Sequence, residues 1–385
     1  MNGGLYKGAK PVLWSVVEKT ALADAEVEYH DHKSTTIYVR FPIVASNQSI
    51  LEGASIVIWT TTPWTIPGNR AVAYGEQFDY GVYQVEEIDE ESTAIVGEKL
   101  VIGCALAEEV EKAAKITKMR QIGSIKGADF SEAILSHPLR GSGFDFNVPM
   151  LPADFVTLEQ GSGFVHIAPG AGSDDFELGL EHGLEVVTNV DDSGKFYDHI
   201  PLVAGMDVIK DNYQIAMIVK NAGALVAVGR LTHSYPHSWR SKAPLIFRTT
   251  PQWFISMETN NLRKSALSAL DDTRFIPERG HTRLKTMIEQ RPDWCVSRQR
   301  AWGVPITVFL DKRTGEPLRD QSVIDRISSI FEDEGSDAWY ISDPQRFLGN
   351  DYDAKDFEQI KDIIEVWFDS GSSHTFVLEA RPELK

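Results

Sequence analysis

The stretch WTTTPWTIPGN, residues 59–69, ends a β-branched run, SIVIWTTT (55–62), with four threonines, two tryptophans and two prolines in eleven positions. A buried strand favours Val and Ile, and neither Pro63 nor Pro67 has an N–H to give a sheet ladder. Thr60, Thr61, Thr62 and Thr65 instead crowd donors and acceptors into one short segment. Hydroxyls beside backbone freed from a ladder suit a polar ligand such as a ribose or an ester. An edge strand with threonines on its wet face accounts for the same residues equally well. Trp59, Trp64 and Asn69 add rings on which a base stacks or which wall a pocket.

Outward from this stretch the first half reads mostly as strands: STTIYVRFPI (34–43), FDYGVYQVEE (78–87) and GFVHI (163–167). ALAEEVEKAAKITKM (105–119) predicts a charged amphipathic helix, and MDVIKDNYQIAMIVKNAG (206–223) a longer one. DDFELGLEHG predicts a helix with Ser173 as N-cap and Gly183 as stop. The mixture predicts an α/β protein whose β-rich part, a barrel or sandwich with covering helices, spans residues 46–205. In the second half PLIFRTT and QWFISM read as strands and ETNNLRKSALSALDD as a helix. RPDWCVSRQRAWGVPITVFL (291–310) runs from a basic cluster into an apolar strand, residues 311–360 form a polar excursion, and IIEVWFDSGSSHTF (363–376) reads as a buried strand ending in small polar residues.

With 385 residues, roughly two or three domains are expected. No apolar run approaches the roughly 20 residues of a membrane span, and MNGGLYKGAK lacks the apolar core of a secretion signal. Cys104 and Cys295, the only cysteines, give neither a disulfide framework nor zinc spacing. A net charge of −18, from 38 basic and 56 acidic residues, argues against a non-specific nucleic-acid coat. Residues 274–300 nevertheless carry seven basic side chains against three acidic ones, either a guide for a specific RNA or a solvated helix face.

GSGFVHIAPGAGSDDF (161–176) places His166 on a strand, Pro169, Gly170 and Gly172 in a turn, and Asp174 and Asp175 in the first turn of a helix. Each has an ordinary reading: a hydrogen-bonded core histidine, and acids complementing a helix dipole. A carboxylate at that loop tip also suits a substrate ammonium, with His166 lining the same pocket. His233 and His237 are poor metal-site candidates, because no cysteine is near. GSG and GAG are too short for dinucleotide or P-loop fingerprints, and no Gly-x-Ser-x-Gly elbow occurs.

Together these motifs resemble the isoleucyl-tRNA synthetases of bacteria over essentially the whole chain. LYKGAKPVLWSVVEKTALADAEVEY looks like the way into that family's large connective insertion. WTTTPWTIPGN and GSGFVHIAPGAGSDDF look like its editing pocket, and HSYPHSWRSKAPLIFRTTPQWF, DWCVSRQRAWGVPI and VWFDSGSS like its return to the catalytic core. Thr62 and Trp64 stand where the valyl and leucyl branches continue Thr-Thr-Arg-Pro. Two positions depart from the family: Ala171 replaces a usual His between the glycines, and Ser238 a common Cys.

The resemblance implies a β-rich, barrel-like editing domain inserted in an incomplete Rossmann-type class I core. Residues 1–45 would be incoming strands of the insertion, 46–205 the editing domain, 206–290 the return and 291–385 a partial core interrupted at about 311–360. Asp175 would hold the substrate's α-ammonium, with Asp174 beside it; His166 and Thr62 would bound the side-chain pocket; Thr60, Thr61 and Thr62 would meet aminoacyl and ribose oxygens. Trp59 and Trp64 would wall the pocket and Asn69 hold the loop. Arg298, Trp302, Asp369 and Gly371 would belong to a partial synthetic site. The His-x-Gly-His and Lys-Met-Ser-Lys-Ser elements are absent, so the expectation is hydrolysis of Val-tRNA(Ile) without aminoacylation. Editing would need no metal or cofactor, whereas the full ligase uses ATP and Mg2+. Its partners would be the valylated tRNA(Ile) acceptor end and the remainder of the synthetase, with no membrane, in a cytoplasmic monomer. A tRNA-binding module without hydrolysis, a ligase completed by another chain and a bare scaffold are the rival readings.

Overall fold

The computed structural model describes residues 2–300 and 302–384. The chain forms two compact units: a larger one from Lys10–Glu18 and Glu26–Thr250, and a smaller one from Met1–Ala9, Lys19–Ala25 and Pro251–Lys385.

The larger unit is built on a ten-stranded sheet. Its path runs Phe164–Ile167, Ala71–Tyr74, Asn147–Pro152, Ile134–Ser136, Val27–Ala45, Ala54–Thr60, Lys99–Gly103, Asp79–Ile88 and Ile116–Lys126, and Leu225–Ser238 pairs with Val27–Ala45 off the path. Ile56, Val57 and Ile58 are all fully buried, because the strand is covered on both faces and therefore reads as a continuous apolar run. One face packs Tyr38, Val57, Tyr83, Leu100, Ile102 and Val110 into a core.

The expected barrel does not close: no ladder joins Phe164–Ile167 to Ile116–Lys126 among the described residues. The sheet instead curls until Phe164–Ile167 lies against Ala54–Thr60 without pairing with it. Beyond Thr60 the chain leaves the ladder for a 3-10 turn, Pro63–Gly68, whose two prolines have no N–H to continue it. That curl, rather than a closed ladder, brings the two halves of the site together.

Several expected elements are shorter than their periodicity suggested. The helix expected over 105–119 is Ala107–Ala113; Lys115 turns left-handed at φ 52° and the chain continues as the strand Ile116–Lys126. The helix expected over 206–223 is Asn212–Asn221, because the Asp207 carboxylate accepts from the N–H groups of Ile209 and Lys210 and holds that stretch as a turn. Gly172, not Ser173, is the N-cap of Ser173–Glu181, while Gly183 ends the helix at φ 65° and Leu184 N–H donates to Gly179 O at 2.7 Å.

PLIFRTT and QWFISM are parts of one strand, Ile246–Ile255, the first belonging to the larger unit and the second to the smaller. The apolar run ending at residue 310 is broken into Trp294–Cys295, Ser297–Arg298 and Phe309–Asp311. The buried strand expected over 363–376 is two residues long, Ile363–Ile364, followed by the exposed helix Val366–Gly371. Glu365 caps that helix by accepting from Trp367 N–H, which diverts the chain from the sheet. The 311–360 excursion has its own core of Val323, Ile327, Trp339, Phe347 and Leu348. Asp320 caps its main helix, Gln321–Glu334.

Arg40 is the buried ion that ties the large sheet to its surroundings. It pairs with Glu98 at 3.1 Å and donates to the carbonyls of Gly223 at 2.6 Å and Thr93 at 3.1 Å. Burial pushes the Glu98 carboxyl up from its ordinary value, and the Arg40 charge opposes that shift. Arg40→Met should destabilise the larger unit by about 3–5 kcal/mol, since it strands a buried carboxylate and two carbonyls. Thermal unfolding of the chain checks this, and an unchanged Tm would contradict it.

Candidate functional site

The site is assembled from the end of strand Ala54–Thr60, the turn Pro63–Gly68, the strand Phe164–Ile167 and the helix Ser173–Glu181. His166 sits at their junction, 7% exposed, with both ring nitrogens engaged. Its Nδ1 lies 2.9 Å from Asn69 Nδ2 and its Nε2 lies 2.7 Å from Thr65 Oγ1. Asn69 Nδ2 also donates to Ala71 O at 2.8 Å, and Thr65 Oγ1 donates to Thr62 O at 2.9 Å.

These bonds fix the proton positions. Turning the Asn69 amide over would set its oxygen against the Ala71 carbonyl, so the amide nitrogen keeps that side and donates to Nδ1. The ring's only proton then sits on Nε2 and is donated to Thr65, whose own hydrogen goes to the Thr62 carbonyl. Burial holds the ring neutral by lowering its pKa to about 4. His166 is therefore a strut that sets the Thr62 backbone, not a base with a free lone pair.

A second histidine braces the same turn from another side. His137 accepts from Leu139 N–H through Nδ1 and lies 3.1 Å from Ile66 O through Nε2, stacked on Phe144 at 5.0 Å. Burial drives its pKa down to about 3. No sequence pattern marks this residue, because its partner carbonyl lies 71 positions away.

The threonines divide their labour. Thr60 Oγ1 accepts from Thr62 N–H and lies 3.1 Å from Thr62 Oγ1, which turns the chain at the strand end. Thr61 is half-buried and makes no side-chain hydrogen bond among the described residues, so its hydroxyl is available to a ligand.

Asp175 reaches back from the helix to accept from Ala168 N–H at 2.7 Å through Oδ2. Burial is the first cause that pushes its carboxyl up to about 7, with the Asp174 charge adding and the Ala168 bond opposing. Because this value exceeds the unfolded one, the group favours the folded state most below about pH 4. That contribution declines as the pH rises towards 7. Asp174 is exposed and faces elsewhere, into an acidic groove with Glu76, Asp154, Glu177 and Glu181.

The two tryptophans also part. Trp64 is buried and lines a cavity of about 20 Å³ with Thr65, Gly68, Gly170, Ala171 and Asn189, among others, room for about one water molecule. Trp59 packs on the core, its ring 6.4 Å from that of Tyr38, and alternation sends it to the sheet face opposite Thr60. Gly170 has no alternative in this wall, since a Cβ there would meet Val187 O at 2.0 Å.

In the smaller unit the four residues expected at a synthetic site are scattered in character. Arg298 is 1% exposed and donates to the carbonyls of Cys295 and Ser297, a structural use. Trp302 is 90% exposed, Asp369 is half-buried with its pKa raised by burial, and Gly371 is exposed. Among the described residues no group of three or more His, Cys, Asp or Glu is placed to hold a metal, and no helix is long and apolar enough to cross a membrane.

Nitrogen-15 NMR of the imidazoles should show His166 and His137 neutral, protonated on Nε2, and not titrating between about pH 5 and 8. A His166 signal that titrates near 6.5 would overturn the strut assignment.

The sequence model described as tRNA synthetases class I (I, L, M and V) matches residues 1–385. The chain is 54% identical over 384 residues to the isoleucine–tRNA ligase of Pelagibacter ubique, covering 100% of this chain and 42% of that protein. It is 50% identical over 392 residues to the ligase of the same description from Gluconobacter oxydans, covering 98% of this chain and 41% of that one. The corresponding protein of Caulobacter vibrioides is 46% identical over 407 residues, covering 99% and 42%. The chain thus spans about two-fifths of the length of these relatives. A crystal structure described as GlLeuRS-CP1 superposes with a TM-score of 0.39 at 14% identity, covering 50% of this chain and 98% of that one, too distant a likeness to argue from. From the whole-length family match, the chain belongs to the class I tRNA synthetases of the isoleucine, leucine, methionine and valine group.

Proposed function

We propose that the larger unit hydrolyses the ester of mischarged Val-tRNA(Ile), as the editing part of an isoleucine–tRNA ligase. The observation that carries this reading is the Asn69–His166–Thr65–Thr62 chain, with the Asp175 carboxylate held on the Ala168 N–H two residues beyond His166. A synthetic site gains only about 1–3 kcal/mol from one methylene, and isoleucyl-tRNA synthetase is itself the standard example of that limit. A second site that admits valine and excludes isoleucine supplies the missing discrimination.

In this reading the Asp175 carboxylate, through Oδ1, takes the α-ammonium of the bound ester in a charge-assisted contact. Thr61 and Thr62 meet the aminoacyl and ribose oxygens, while His166 keeps the Thr62 backbone from yielding to a larger side chain. Trp64 acts from behind the turn rather than as a wall of the ester pocket. A positioned water attacks the ester carbon, the bond to the ribose oxygen breaks, and that oxygen takes up a proton as the valine carboxylate leaves. The ester is already activated, so positioning and oriented dipoles supply much of the acceleration.

For the complete synthetase the family reading adds isoleucine ligation with ATP and Mg2+, tRNA(Ile) as partner and a cytoplasmic setting. The described residues do not fit a metal site, and no step here runs through the ion. A second reading is favoured by Ala171 in the cavity wall: the unit grips the acceptor end without cleaving it. Cleavage of preformed Val-tRNA(Ile), with Ile-tRNA(Ile) spared, supports hydrolysis; binding without cleavage supports the second reading.

Asp175 also sets a pH dependence. In kcat/KM the rate should rise as the carboxyl ionises through about pH 7, then fall as the α-ammonium loses its proton near pH 8. Asp175→Asn keeps an acceptor for Ala168 but should lower kcat/KM roughly 10- to 100-fold and flatten the acid limb. A variant that retains both the rate and the limb removes the carboxylate from this scheme.

A further inference from the structure

We infer that the helical hairpin formed by Leu262–Asp271 and Arg279–Glu289 is a docking surface for the phosphate backbone of RNA, a reading that rests on tRNA being the partner proposed above. The hairpin is a built element. Arg263 on the first helix donates to the carbonyls of Ile288 at 2.6 Å and Glu289 at 3.0 Å, closing the C-terminal end of the second. No residue of Arg279–Glu289 is buried, so the whole circumference of that helix is open or half-open to solvent.

Its surface carries several open cations. Lys264, Arg274, Arg279 and Arg283 are all exposed and, among the described residues, none has an ion-pair partner. On the strand Ile116–Lys126 of the larger unit, by contrast, Lys118 and Arg120 are matched with Glu86 and Lys126 with Asp79. In a chain of net charge −18, residues 274–300 are locally basic, with seven basic side chains against three acidic ones. Glu258 pairs with Arg263 and Asp271 with His281, and the exposed Asp272 and Glu278 make no ion pair with these cations among the described residues.

Arg279 and Arg283 stand one turn apart on the same face, roughly 6 Å along the axis. Guanidinium groups so placed give bidentate, charge-assisted bonds to phosphate oxygens. Such contacts position a nucleic acid and make its binding salt-dependent without reading its sequence. The exposed side chains of Leu284 and Met287 add apolar area between the cations, too little for a membrane-inserting stripe.

The test uses the full chain and deacylated tRNA(Ile), with binding measured between about 50 and 200 mM salt. Arg279→Glu/Arg283→Glu should weaken binding by roughly 10-fold or more and reduce the salt slope by about two. Arg279→Gln/Arg283→Gln should give a smaller loss of the same kind, which separates charge from misfolding. Reversal at the remote pair, Lys312→Glu/Arg313→Glu, should leave both quantities unchanged. The proposal is overturned if the hairpin variants bind as the parent does, if the remote pair loses as much, or if the parent chain does not bind tRNA. It is equally overturned if the variants lose only affinity for vesicles containing phosphatidylserine. Cleavage of Val-tRNA(Ile) with a KM indifferent to the hairpin sinks this inference and leaves editing standing. Hairpin-dependent binding without any cleavage does the reverse.

Discussion

A neutral imidazole clamped between an amide and a hydroxyl holds the candidate site together. With its Nδ1 satisfied by Asn69 and its Nε2 proton given to Thr65, His166 transmits the position of its strand to the Thr62 carbonyl. Remove the ring and two buried polar groups, the Asn69 amide and the Thr65 hydroxyl, lose a partner at once, each loss costing about 1–3 kcal/mol. The threonine-rich turn would still have His137, through the Ile66 carbonyl, as a brace. The site's precision is thus a property of a hydrogen-bonded network rather than of any single catalytic side chain.

The network needs the curl of the sheet. Phe164–Ile167 pairs with Ala71–Tyr74 and, by leaning against Ala54–Thr60, faces the turn that follows that strand. Thr60 is the last residue of its strand to pair, with Ile37, so the ladder is open beyond it. The open end frees the Thr60–Thr62 groups for the local bonds between Thr60 and Thr62 and for a ligand at Thr61. Asp175 contributes the opposite property, a carboxyl that burial brings to the edge of ionisation near neutral pH. In the proposed reading an arriving ammonium would complete that ionisation.

The motifs lay within reach of sequence reading because they are local. Threonines before a proline turn, a histidine on a strand, and acids at a helix start are all fixed by neighbours within a few positions. Reading them as a set also led to the family, whose sequence model matches the entire length. The roles inside the set were less legible. Asp174 and Asp175 look alike on paper, yet one faces an acidic groove and the other a backbone amide. Trp59 and Trp64 likewise separate, one to the core and one to the cavity wall, because strand alternation and a 3-10 turn aim them differently. Helix lengths were overread wherever a side chain competed for the backbone, as Asp207 does, or where a residue such as Lys115 turned left-handed.

By itself the sequence determined the chemistry on offer: hydroxyls, a carboxylate and an imidazole, in two ordered segments about a hundred residues apart. It also determined where ladders had to stop, since prolines lack the N–H to continue them. Only the tertiary structure decided that the imidazole would be spent as a strut, that His137 would join it, and that the sheet would curl without closing. Those outcomes depend on burial and on partners distant in the chain. Periodicity and propensity describe only what a residue does with its neighbours, so neither could have supplied them.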